Sequence, residues 1–175
     1  DKYKWFLDFL SPIKTHEDGK VEFFGIWLDI NDRKRAQYRL EMLNEYFLKF
    51  GADPSKNINK IVQLCGQELN AGIALYNKHL GDKLISVGYW GTPEDFNHVD
   101  NAVGHICTDL INSNNTETKF ISDLTQTKYI RTDPLVANFG MKTYLGFPVR
   151  FGDSTKGSLC VVFEKYEQPS EDDYK

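Results

Sequence analysis

Cysteine is scarce: Cys65, Cys107 and Cys160 are the only three, far apart and without a C-x-x-C spacing. An odd, dispersed set argues against a disulfide framework and for a reducing compartment, the cytoplasm. It also lacks the two close ligand pairs of a structural zinc site. Positive charge is not in excess. Lys plus Arg number 21 against 25 Asp plus Glu, a net charge of −4. A nucleic-acid-binding domain should instead carry a basic face. No apolar run approaches the roughly 18 residues of a membrane helix. No signal peptide opens the chain. No G-x-x-x-x-G-K-[ST] phosphate loop occurs, and no His lies within 33–50 as a phosphoacceptor on a dimerising helix. The chain starts at Asp1 rather than Met and stops just after Ser170-Glu171-Asp172-Asp173. It is therefore read as a piece of a longer protein.

What is present is the material of a globular domain. The 175 residues are 41% hydrophobic and 26% charged, which argues against disorder. Residues 3–30 read as a β-hairpin: Trp5 to Leu10, a polar turn at His16-Glu17-Asp18-Gly19-Lys20, then Val21 to Ile30. Two strands alone are marginal in water, so this aromatic hairpin is expected to pack on the following helix or a partner chain. Asn31 or Asp32 can cap that helix. Its residues Ala36, Leu40, Leu43, Phe47 and Phe50 are spaced 4, 3, 4, 3, a short coiled-coil seam suited to a homodimer. The alternative is one amphipathic helix on its own domain. Arg33, Lys34, Arg35 and Arg39 fall off the seam as a solvated face.

Gly51-Ala52-Asp53-Pro54 ends the helix. A second helix spans 55–70, capped by Ser55, with Ile58, Ile61, Val62, Cys65 and Leu69 in one stripe. Strands follow at about 72–79 and 82–90, joined at Gly81-Asp82. A helix at 101–114 would turn Val103, Ile106, Cys107, Leu110 and Ile111 inward. A short strand at 120–123, a polar loop from Leu124 to Thr132 and a short helix from Pro134 to Phe139 come next. Strands at about 143–152 and 157–166 precede a helix starting near Pro169. Tight turns between paired strands favour an antiparallel sheet with helices packed on it, an α+β fold.

Several words in residues 57–175 resemble a GAF domain. They are Asp123-Leu124, Tyr129-Ile130-Arg131-Thr132-Asp133-Pro134-Leu135-Val136, Tyr144-Leu145-Gly146-Phe147-Pro148-Val149, Gly157-Ser158-Leu159-Cys160-Val161-Val162-Phe163 and Ser170-Glu171-Asp172-Asp173. Residues 1–32 resemble the last two strands of a PAS domain, through Trp5 to Ile13, Asp18-Gly19-Lys20-Val21 and Gly25 to Ala36. The family's Asp-Ile-Thr triplet is here Asp29-Ile30-Asn31. The resemblances divide the chain into a PAS hairpin at 1–32, a signalling helix at 33–54 and a GAF domain at 55–175. They imply a central antiparallel sheet of about five or six strands flanked by helices. They also imply a sensor protein, most often a sensor histidine kinase of a two-component phosphorelay, with its catalytic domain outside these residues. The fragment itself is then not an enzyme.

The resemblance places a ligand pocket between the sheet and residues 89–139. Tyr89, Trp90, Phe96, His105, Asp123, Tyr129, Phe139 and Ser158 are the residues expected around it. Aromatic walls with a few polar groups suit a small organic molecule, unless they merely fill the space as core. Bilin attachment is disfavoured, because Cys107 follows His105 instead of preceding it. Haem or metal is disfavoured too, because His105 and Cys107, two apart on a helix, would point to different sides. His98 and His105 could share a face only within one helix, which Pro93 to Asn101 does not suit. Some relatives reduce methionine sulfoxide with cysteines, but Cys65 and Cys160 read as core packing. The expected function is a sensory module that binds a small molecule and relays the change through its flanking helices. The alternatives are a thiol enzyme acting on methionine sulfoxide and a ligand-free dimerisation spacer. No nucleic-acid or membrane contact is expected.

Overall fold

The computed structural model of the chain describes residues 3–113 and 115–168. The chain divides into two units between Lys49 and Phe50. In the first, β1 (Phe6–Thr15) and β2 (Val21–Asp29) pair antiparallel, followed by α1 (Asn31–Leu48). Gly19, at φ +85, closes the turn that the sequence places at 16–20. A register shift between Pro12 and Lys14 absorbs a residue in the strand that contains the donor-less proline.

The cap of α1 differs from expectation. Ile30 holds the N-cap position and makes no side-chain cap bond. The Asn31 side chain instead accepts from the Trp5 backbone N–H at 2.8 Å, and its own amide donates to Asp29. It ties the helix start to the hairpin start. Every residue of both strands is exposed, and α1 buries none. The expected packing of the hairpin on this helix therefore does not bury it.

In the second unit, Asp53 rather than Ser55 caps α2 (Pro54–Glu68), accepting from Ser55 and Lys56 N–H, with Pro54 in the first turn. A six-stranded sheet follows, with order β5-β4-β3-β8-β7-β6 and every pair antiparallel. Its strands are β3 (Ile73–Leu80), β4 (Lys83–Trp90), β5 (Val99–Asn101), β6 (Lys119–Ile121), β7 (Thr143–Phe151) and β8 (Ser154–Phe163). The α+β fold expected from the sequence is the one observed.

Period-2 alternation gives the sheet two apolar faces. Ala74, Leu145, Val161 and Phe163 pack with Val62 under α2. Ile73, Leu75, Tyr144, Cys160 and Val162 face the other way, onto α3 (Ile106–Asn112) and α5 (Pro134–Ala137). Burying a side chain of this kind contributes about 1.5–3 kcal/mol.

Two stretches depart from the sequence expectation. The helix at 101–114 begins only at Ile106, and Val103 is 83% exposed rather than inward. The residues before it form β5 on the edge of β4, and Gly104, at φ +94, passes so close to Thr132 that a Cβ would stand 2.9 Å from it. The polar loop from Leu124 to Thr132 is ordered as a 3-10 turn at Leu124–Gln126 and a helical turn, α4, at Tyr129–Thr132. The helix expected near Pro169 lies outside the described residues.

Candidate functional site

Position 77 is where the alternation on β3 changes chemistry. Ile73 and Leu75 are apolar, and the next residue on that face is Asn77, 1% exposed. A register shift after Tyr76 sets Ser86 of β4 opposite it. The Ser86 hydroxyl donates to Asn77 Oδ1 at 2.7 Å, which turns the amide nitrogen toward α3. Asn77 Nδ2 donates to Cys107 Sγ at 3.2 Å and lies 3.9 Å from Cys160 Sγ.

β8 brings Ser158 beside Asn77 and Cys160 beside Leu75. The two sulfurs of Cys107 and Cys160 stand 3.4 Å apart, and the Tyr144 hydroxyl lies 3.6 Å from Cys107 Sγ. Gly146 makes room for that hydroxyl, since a Cβ there would stand 2.2 Å from it. The bond from Cys160, more than that of Tyr144, holds the Cys107 thiol below its usual pKa against the cost of burial. The same bond and burial push the Cys160 thiol well up. Ser158 Oγ, fully buried beside Cys107, has no hydrogen-bond partner of good geometry among the described residues.

Asp133 fixes the other wall. Its carboxylate accepts from Leu135 N–H, capping α5, and from Ile106 N–H at 2.9 Å, holding the first turn of α3. Burial pushes its carboxyl above the usual range, opposed by the Ile106 N–H and by His105. The His105 ring lies between Asp133, 3.7 Å from Nδ1, and Asp100, 3.5 Å from Nε2.

These groups border a partly open cavity of about 130 Å³. Asn77, Cys107, Asp133 and His105 line its floor, with Leu75, Leu84 and Ser86 beside them. Phe96 and Phe139, with ring centroids 6.1 Å apart, cover it together with Asp95 and Asn138. Ordinary small-molecule pockets run from about 300 Å³, so this cavity suits a molecule of few heavy atoms. On the first unit, a wider open groove of about 530 Å³ lies among Trp5, Asn31, Lys34 and Tyr38. Its rims are solvated, whereas the reactive side chains converge on the smaller cavity.

Of the residues expected around the pocket, Phe96, His105 and Phe139 line this cavity, and Ser158 lies buried beneath it. The other four lie elsewhere. Tyr89 is 44% exposed and stacks on His98 at 4.0 Å. Trp90 belongs to the α2 face, where its ring packs on Gly66. Asp123 accepts from Thr125 N–H and caps the 3-10 turn. Tyr129 donates to Asp109 at 2.8 Å, joining α4 to α3.

His105 and Cys107 do face one cavity, contrary to the helical spacing argument. His105 is the N-cap of α3, with extended backbone at ψ 142, so helical geometry starts after it. Among the described residues, no group of three or more His, Cys, Asp or Glu could hold a metal ion, and no helix is long and apolar enough to cross a membrane.

Sequence reasoning passed over Asn77, Cys107 and Asp133 as pocket residues, and Cys160 as the partner of Cys107 behind them. The signals available were a polar residue breaking an apolar alternation, an Asp before a helix-opening Pro, and a cysteine on the same strand face as Ser158.

No family model matches the sequence and no curated protein matches it. Solved structures do resemble it. The GAF domain of an Acinetobacter phosphoenolpyruvate-protein phosphotransferase superposes with a TM-score of 0.62 at 10% identity, covering 78% of this chain and 83% of that one. A domain of a protein described as a two-component sensor histidine kinase from Sinorhizobium meliloti gives 0.56 at 13%, covering 70% and 81%. A type II free methionine-R-sulfoxide reductase from Thermoplasma acidophilum gives 0.52 at 17%, covering 69% and 84%. At these identities the likeness concerns the fold, which is GAF-like.

Proposed function

We propose that this chain is a sensory, regulatory module whose GAF-like unit binds a small molecule in the cavity beneath Phe96 and Phe139. The binding change passes to the flanking helices and, through them, to an output domain of a cytoplasmic sensor protein such as a histidine kinase. The observation that carries the reading is a partly open cavity with a polar floor: Asn77, His105 and Asp133 converge beside Phe96 and Phe139. A molecule bound there resets the module only if it favours one of two arrangements by differential affinity.

The test is native mass spectrometry beside the denatured mass and visible spectrum, followed by a metabolite melting screen on the reduced protein. A retained mass, or a metabolite that raises Tm, is the expected result. An apo protein that no metabolite stabilises would overturn the reading in favour of a dimerisation spacer.

A thiol enzyme acting on free methionine sulfoxide is the second reading. The 3.4 Å approach of Cys107 to Cys160 favours it, as does the sulfoxide reductase among the fold neighbours. It requires turnover of free methionine sulfoxide with a dithiol reductant, and absence of turnover rejects it.

A further inference from the structure

We infer that Cys107 and Cys160 form a reversible dithiol–disulfide modification site at the cavity floor, with a small hydroperoxide as its oxidant. The inference goes beyond ligand binding and stands without it.

Three observations converge. First, the sulfurs are already in contact at 3.4 Å, from residues 53 apart in sequence. A disulfide needs a sulfur–sulfur distance of about 2.05 Å, so bond formation must bring the two sulfurs about 1.4 Å closer. Second, the pair is asymmetric. Cys107 lines the cavity, whereas Cys160 lies behind it in the sheet, so an oxidant in the cavity meets Cys107 first. Third, the hydrogen-bond donors converge on Cys107. Asn77 Nδ2 donates to it at 3.2 Å, and the Tyr144 hydroxyl lies 3.6 Å away. Donors of this kind stabilise a thiolate, the nucleophilic form. The directions of the two thiol pKa values, Cys107 down and Cys160 up, agree with that order. Cys65 packs on the other face of the sheet, in the α2 cluster, and takes no part.

The chemistry balances in two steps. The Cys107 thiolate attacks one peroxide oxygen. The O–O bond breaks, an S–O bond forms, and the other oxygen leaves as alcohol or water after taking up the proton that Cys107 gave up. Cys107 is then a sulfenic acid. The Cys160 sulfur attacks the Cys107 sulfur, an S–S bond forms, the S–O bond breaks, and the hydroxyl leaves as water with the Cys160 proton. Two thiols lose two electrons and the peroxide gains them. An external dithiol returns the pair by exchange. The product removes the sulfur acceptor of Asn77 and links α3 to the central strand β8. Oxidation thereby alters the floor of the cavity.

The test is the purified chain, fully reduced and then treated with equimolar hydrogen peroxide. Intact mass is expected to fall by two hydrogens, and peptide mapping should link the Cys107 and Cys160 peptides while Cys65 stays alkylatable. In Cys160→Ser, a diketone probe should trap sulfenic acid at Cys107, whereas Cys107→Ser should leave Cys160 unoxidised. Asn77→Ala should move the pH profile of Cys107 alkylation upward, a change that a merely structural role would not produce. Free thiols at both positions after peroxide, or a linkage through Cys65, would overturn the site. A linkage produced by free methionine sulfoxide but not by peroxide would overturn the oxidant class. Failure of the metabolite screen on reduced protein leaves this inference standing, and failure of disulfide formation leaves ligand binding standing.

Discussion

Asp109 is a half-exposed carboxylate whose charge two neighbours fix. Lys128 Nζ at 2.7 Å and the Tyr129 hydroxyl at 2.8 Å both donate to its Oδ2. Burial raises its pKa, but these bonds outweigh it and hold the carboxyl below its usual 3.8. A depressed folded pKa means that its stabilisation is present above the unfolded value and is lost as pH falls through the folded one. The side chain is 38% exposed, so solvent screening limits the ion pair to under about 1 kcal/mol. Asp109→Asn is therefore expected to lose stability of that order in urea at neutral pH. The difference from wild type should shrink as pH falls below 3.8. A difference that grows in acid would contradict the assignment. Asn77 teaches the opposite lesson at this scale. Its importance comes from what stands across the sheet, because Ser86 orients it and two sulfurs receive it.

Among the elements, α2 shows how closely a helix is seated on a sheet. A Cβ added at Gly66 would stand 2.2 Å from the Trp90 ring, a rigid neighbour that must shift as a whole. Gly66→Ala is expected to cost about 1–3 kcal/mol by chemical denaturation, as overpacked cores do. Gly51→Ala, with nothing within 4 Å of its Cβ, should stay within about 0.5 kcal/mol. Equal effects at the two positions would refute the packing argument. Trp90 was expected in the pocket, and strand parity decides otherwise: it shares the α2 face, where Gly66 leaves space for its ring. α3 is shorter than its apolar spacing suggests because Gly104 turns at positive φ and His105 stays extended, so helical geometry starts at Ile106, whose N–H donates to Asp133.

For the molecule as a whole, the first unit leaves much apolar surface in water. Trp27 is 75% exposed, and on α1 Leu40 and Leu43 are 61% and 39% exposed. Ala36, Leu40, Leu43 and Phe47 of α1 are the seam proposed to join two copies, whereas Phe50, expected to complete it, lies beyond the helix end at Leu48 and in the second unit. Wild-type protein is expected to be a dimer by light scattering, with Leu43→Glu monomeric. A wild-type monomer at high concentration would remove the seam from the proposal. The sequence alone determined the α+β class, the turns at Gly19, Gly81 and Gly152, five of the six sheet strands and the helix stripe of α2 apart from Ile61, which is exposed. These depend on neighbours a few positions apart, through alternation, helical period and the glycines at positive φ. Only the tertiary structure decided the site. Register across β3, β4, β7 and β8 brings Asn77, Ser86, Tyr144 and Cys160 together, and Asp133 anchors the first turn of α3 beside them. A single chain read along its length shows which residues are apolar or polar, but not which partner a strand places opposite them. That is why two cysteines that each read as packing meet as a pair.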